Sequence, residues 1–262
     1  MRRIHQSPGT RSDPKVLICT AQGLPVAQLR VLVAVVAAGS MLVSCSPGQP
    51  DQSGRSEQPD QPNQSEQPDH VGSFAAPLPS AVLLTGDSIT EGWHATTEGS
   101  SFRGLVEEWL TEGGAESVFG TYQAGYTVQE VAEGFEIPRG MDLAVVELGT
   151  NDIGRNNAVD GFGVQYAAYL EDLEEASPGV RLVCLGVWHP ASDKTSAFDA
   201  VIESECTTRG GVFHRLSGLF GDAGLRGPEG VPTWVGDSDV FHPNDAGHER
   251  IAELVKQLVS AP

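Results

Sequence analysis

Leu143-Ala144-Val145-Val146-Glu147-Leu148-Gly149-Thr150-Asn151-Asp152 is a short apolar run that stops at a glycine and gives way to polar residues. A run apolar almost throughout reads as a strand buried on both faces, and such strands belong to parallel sheets covered by helices. On either side of it, Ala81 to Thr85, Ser117 to Tyr122, Arg181 to Trp188 and Gly211 to Leu216 read as further strands. Phe102 to Glu112, Val128 to Phe135, Asp160 to Ala176 and Ala197 to Thr208 carry apolar residues at helical spacing between them. A last helix is expected from about Asp245 to Val259, with Ile251, Leu254, Val255 and Leu258 on one face. The alternation of strand and helix predicts an α/β domain with helices on both faces of a parallel sheet.

Such sheets place their chemistry beyond the carboxyl ends of the strands. The polar residues most in need of explanation fall there. Gly86-Asp87-Ser88-Ile89-Thr90 follows the first strand, Ala124-Gly125-Tyr126-Thr127 the second, Gly149-Thr150-Asn151-Asp152 the third and His189-Pro190 the fourth. A serine on a strand-to-helix turn has an exposed hydroxyl, and it becomes a nucleophile when a base accepts its proton. The candidate base is His242 in Asp239-Val240-Phe241-His242-Pro243-Asn244, and Asp239, three residues earlier, can reach the other ring nitrogen. Asp237 competes for that role. An oxyanion would find donors in the amides of Ser88 and Gly125 and in the side chain of Asn151. Asp87 reads as a turn-fixing residue, Asp152 as a helix cap or loop-fixing residue, and His94 as lining the cleft. His242 and His248 lack partners of metal-ligand type.

These blocks, in this order, resemble those of the SGNH/GDSL hydrolase superfamily. Gly86-Asp87-Ser88 is similar to its first block, Gly125 to the second, Gly149-Thr150-Asn151-Asp152 to the third, and Asp239 to His242 with Pro243-Asn244 to the last. The resemblance implies a flavodoxin-like three-layer α/β/α sandwich with a five-stranded parallel sheet and no metal or other cofactor. It also implies roles: nucleophile Ser88, base His242, orienting acid Asp239, and oxyanion donors Ser88, Gly125 and Asn151. The spacing of Asp239 matches the family and favours it over Asp237. Gln123 departs from the asparagine often found two residues before the glycine of the second block. The activity expected is that of a serine esterase acting on acyl or acetyl esters of lipids, glycans or small molecules. Acyl transfer to wall glycans, and a non-catalytic glycan-binding module, remain open beside it. Trp93, Trp188, His189 and Trp234 fall on loops of the same edge and are expected to line the substrate cleft.

The rest of the chain bounds the setting. The chain has 262 residues, which permits one or two domains at about 150 residues each. Lys and Arg number 16 against 35 Asp and Glu, for a formal net charge of -19, which argues against nucleic acid as a partner. Val31 to Val43 is too short to span a bilayer, which takes about 20 residues, but has the length of a signal-peptide apolar region. Ser44-Cys45 after it resembles a bacterial lipobox, which makes Cys45 the expected lipid anchor, with plain secretion as the alternative. Residues 46–75 are rich in Pro, Gln, Ser and acidic residues, and Ser56-Glu57-Gln58-Pro59-Asp60 recurs as Ser65-Glu66-Gln67-Pro68-Asp69. They are expected to be a disordered tether. The expected organisation is a leader over 1–45, the tether over 46–75 and a hydrolase domain over 76–262. The protein is then an extracytoplasmic, surface-held monomer. Cys184 and Cys206 fall in the fourth strand and the helix after it, where either a disulfide or two buried thiols would fit.

Overall fold

The computed structural model describes residues 78–260. The expected leader, Cys45 and the tether lie outside them. The described chain runs β1 (Ala81–Gly86), α1 (Ser88–Glu91), a 3-10 turn (Glu98–Ser100), α2 (Phe102–Glu112), β2 (Ser117–Tyr122) and α3 (Val128–Gly134). It continues through β3 (Leu143–Glu147), α4 (Thr150–Gly154), α5 (Val159–Ala176), β4 (Arg181–Leu185), α6 (Asp193–Thr208) and β5 (Val212–His214). After β5 come α7 (Ser217–Phe220), a second 3-10 turn (Ala223–Leu225), the short strands β6 (Pro232–Thr233) and β7 (Gly236–Asp237), and α8 (Asp245–Ser260). No helix among the described residues is long and apolar enough to cross a membrane.

The five main strands are parallel and ordered β2-β1-β3-β4-β5. This is the flavodoxin-like order, and its switch point lies between β1 and β3. Period-two alternation divides the core. Leu83, Ala144, Val146, Leu182 and Cys184 face α3, α5 and α6, where Val131, Phe162, Tyr166, Leu170, Phe198 and Ile202 complete one layer. Val82, Leu84, Leu143, Val145, Val183 and Leu185 face α2 and α8, where Phe102, Val106, Leu110, Ile251 and Val255 complete the other. Each residue of the central strand β3 is thus buried whichever way it points, which is why β3 reads as an almost unbroken apolar run.

Helix starts follow side-chain caps. Ser101 Oγ accepts the Gly104 N–H at 3.0 Å and starts α2. Thr127 and Glu130 form a reciprocal capping box at α3. Ser192 Oγ accepts the Thr195 N–H at 3.0 Å, so α6 begins at Asp193, ahead of the start expected near Ala197. Strand β4 ends at Leu185 and not at Trp188: the Gly186 N–H still donates to the His214 carbonyl of β5 at 2.8 Å, but the Val187 N–H is taken by Asp199 Oδ1 at 3.0 Å instead of by a neighbouring strand. Cys184 of β4 and Cys206 of α6 are joined by a disulfide, with Cα atoms 6.3 Å apart and both side chains fully buried.

Candidate active site

Ser88 is the first residue of α1, and Asp87 caps that helix by accepting the Ile89 N–H on Oδ1 at 3.0 Å. Gly86 makes the turn feasible: a Cβ there would lie 2.5 Å from the Glu147 carbonyl and closer still to Thr90. The hydroxyl of Ser88 is directed at His242, with Oγ 3.0 Å from Nε2. His242 Nδ1 lies 2.8 Å from Asp239 Oδ2. A carboxylate only accepts, so Nδ1 carries the hydrogen and Nε2 offers its lone pair to the Ser88 hydroxyl. The other oxygen of Asp239 accepts the backbone N–H groups of Phe241 and His242, each at 2.8 Å.

Residues from distant elements hold this loop in place. Trp188 Nε1 donates to the Phe241 carbonyl at 2.8 Å, Arg226 to the Val240 carbonyl at 2.6 Å, and Asn244 Nδ2 to the Gly227 carbonyl at 2.9 Å. The Asp239 N–H donates to His94 Nδ1 at 3.0 Å. His94 takes a φ of 69°, a left-handed conformation unusual for a residue with a Cβ, and its ring meets that of His242 edge-on at 4.7 Å.

Burial presses His242 below the ordinary histidine value of 6.5, and the Asp239 carboxylate restores only part of that. Burial alone would raise Asp239; the hydrogen bonds from His242 and the Phe241 N–H outweigh it and hold the carboxyl below its usual value. A neutral, correctly oriented imidazole facing a serine hydroxyl is the arrangement a general base requires.

The residues expected to meet an oxyanion follow β1, β2 and β3. Gly125 has a φ of +81°, and its carbonyl accepts from Arg155, which also pairs with Glu130 Oε1 at 2.8 Å. Neither the Ser88 N–H nor the Gly125 N–H has an acceptor among the described residues. Asn151 differs from them: Nδ2 donates to Asp87 Oδ2 at 3.1 Å and to the Tyr126 carbonyl at 3.0 Å. Its amide therefore stitches the first three blocks together, with both hydrogens already engaged. Asp152 accepts from the Val128 N–H at 3.1 Å and from Asn157 at 3.0 Å, fixing the loops in place.

The four aromatic residues expected to line the cleft divide. Trp188 does not line it: the side chain is fully buried in the core, and its indole N–H serves the His242 loop. Its position at the end of the expected fourth strand, next to the active edge, gave no sign of this. Trp93 packs its ring 5.5 Å from that of His242. His189 is half-buried and stacks on Phe220. Trp234 is partly exposed beside the β6–β7 hairpin, with its indole N–H on the Gly92 carbonyl at 2.8 Å. Asp237 lies exposed on β7, and His248 is buried with Nε2 donating to the Trp93 carbonyl at 3.0 Å.

His94, Asp239 and His242 each offer one atom, all within 4.8 Å of one another, that could reach a metal ion. Those positions are already used: His94 Nδ1 accepts the Asp239 N–H and His242 Nδ1 donates to Asp239. Reading the sequence missed His94 as a support for Asp239, Arg155 as a support for Gly125, and Glu147 behind Asp87. Only His94 carried a local signal, its position in the turn after the nucleophile.

Several solved structures share the fold. A psychrotrophic esterase, EstA, from a Pseudoalteromonas species matches with a TM-score of 0.54 and 13% identity, covering 69% of this chain and 96% of that one. TesA matches with a TM-score of 0.53 and 21% identity, covering 68% and 97%. A family 3 carbohydrate esterase of Clostridium thermocellum matches with a TM-score of 0.51 and 18% identity, covering 68% and 94%. No curated protein sequence matches the chain. Residues 84–250 match the model of the GDSL-like Lipase/Acylhydrolase family, a span that contains Ser88, Gly125, Asn151, Asp239 and His242. With that match over the greater part of its length, the chain belongs to the GDSL-like lipase/acylhydrolase family.

Proposed function

We propose that the protein is a serine esterase that hydrolyses carboxylic esters through an acyl-enzyme. The observation that carries this reading is the continuous relay from Ser88 to His242 to Asp239, at 3.0 and 2.8 Å. Ser88 Oγ bonds to the ester carbonyl carbon as its proton passes to His242 Nε2. The oxyanion collects on the Ser88 and Gly125 amides, and Asn151 is a third donor. Collapse breaks the bond to the alcohol, which leaves with the proton from His242. Water then attacks acyl-Ser88, gives its proton to His242 and releases the acid as Ser88 regains its own.

The substrates proposed are acyl or acetyl esters on lipids, glycans or small molecules. Ser88→Ala should cut hydrolysis of p-nitrophenyl acetate by about 10⁶-fold and abolish labelling by a fluorophosphonate probe. Wild-type protein that cleaves no ester from acetyl to long acyl would overturn the reading.

An exported, lipid-held location is proposed with it. Two observations support this: the apolar run ending at Ser44-Cys45, and a disulfide of the kind that persists in oxidising compartments. Cys45→Ser should move the protein from the membrane fraction into the medium.

A further inference from the structure

Asp87 and Glu147 lie side by side under the nucleophile turn, both fully buried, at the ends of the paired strands β1 and β3. Neither has a basic partner among the described residues. Asp87 spends its oxygens on N–H donors: Oδ1 accepts from Ile89 and Oδ2 from Asn151. Glu147 faces Asp87 and otherwise meets only hydroxyls, from Thr90 at 3.1 Å and Thr150 at 3.3 Å. Two fully buried carboxyls in contact, with no basic side chain beside them, do not both ionise. The hydrogen-bond pattern chooses between them. An acid whose oxygens face N–H groups is the acceptor, whereas hydroxyls can turn to accept or donate and so tolerate a protonated neighbour.

We infer that Asp87 and Glu147 are a positioning dyad, in which a neutral Glu147 donates its carboxyl hydrogen to Asp87 and thereby fixes the Asn151 amide and the cap of the nucleophile helix. Burial, then the charge on Asp87, holds Glu147 well above the usual carboxylate range. Burial also raises Asp87, to about 7, against the bonds from Ile89, Glu147 and Asn151. Other titratable groups bearing on the dyad are Asp152 from α4, whose charge adds to the raising of Asp87, and Tyr166 from α5. His242 is bonded to the neighbouring Ser88. With one Asn151 hydrogen anchored on Asp87, the other, on the Tyr126 carbonyl, is the one an oxyanion can claim.

The dyad deepens the esterase reading, and its kinetic consequences rest on that reading, whereas its protonation does not. Infrared spectra at neutral pH should show a protonated-carboxyl C=O band in wild type that Glu147→Gln removes. If Glu147→Gln leaves the spectrum in that region unchanged, the dyad is overturned, even in a protein that cleaves no ester. For kinetics, Glu147→Gln keeps a donor to Asp87 and should keep most of its kcat. Glu147→Leu and Asp87→Asn should lose about 10²-fold in kcat with little change in KM, the size expected from a misplaced catalytic group. Equal kcat for Glu147→Gln and Glu147→Leu would overturn the positioning role, and should Glu147→Leu or Asp87→Asn fail to fold, the infrared comparison of wild type with Glu147→Gln decides.

Discussion

Asp239 holds its loop through more than its contact with the His242 ring. One oxygen orients His242, the other closes a turn on the N–H groups of Phe241 and His242, and the backbone N–H rests on His94. Asp239→Asn keeps the turn but can present an N–H where the imidazole needs an acceptor, which favours the wrong tautomer. A fall in kcat of about 10⁴-fold is expected, with the fold intact by circular dichroism. Desolvation also sets the working range. Because burial holds His242 below 6.5, the base stays neutral into mildly acidic solution. The acid limb of kcat/KM should therefore have its midpoint below pH 6.5, and a midpoint above it would show that Asp239 outweighs burial.

At the scale of elements, the site is an intersection of three strand ends with the loop before α8. The tightest constraint is the turn between β1 and α1, where Gly86 passes the Glu147 carbonyl with no room for a Cβ. Gly86→Ala should destabilise the domain by about 1–3 kcal/mol and lower kcat by displacing Ser88, measured by urea melts and kinetics on the folded fraction. On the far side of the sheet, the disulfide clips β4 to α6 across a separation of 22 residues. Replacing Cys184 and Cys206 together by Ala should cost about 2–4 kcal/mol and leave kcat nearly unchanged, because neither sulfur approaches the relay.

For the whole molecule, pH dependence of stability reports which ionisable groups the fold has buried. His248 is fully enclosed between α2 and α8, and burial lowers it to about 4 from 6.5. The unfolded chain takes up its proton first as pH falls, so the stability tied to neutral His248 is present above 6.5 and is lost towards pH 4. The Asp87–Glu147 pair acts in the opposite direction: folded, it keeps a proton that the unfolded chain releases, so its contribution is lost as pH rises. His248→Gln, which keeps a donor for the Trp93 carbonyl, should lose less Tm than wild type between about pH 7 and about pH 4. Parallel slopes for the two proteins would remove His248 from the account.

The sequence alone determined the parallel α/β sheet, because strands buried on both faces must be apolar throughout and the helices between them must keep one apolar stripe. It also marked four polar blocks beyond the strand ends, whose glycines, serine, asparagine and histidine do not follow the apolar pattern of the strands and helices around them. The tertiary structure decided what depends on contacts between residues far apart in the chain. It brought Ser88 to His242 across 154 positions, buried Trp188 where an aromatic at a loop was expected, and set Glu147 against Asp87. In sequence, Glu147 is one acidic residue in an apolar strand, and its partner becomes visible only when β1 and β3 pair. Local propensity and periodicity act over a few residues, whereas a proton shared between two carboxyls is a property of the buried space that the folded sheet creates.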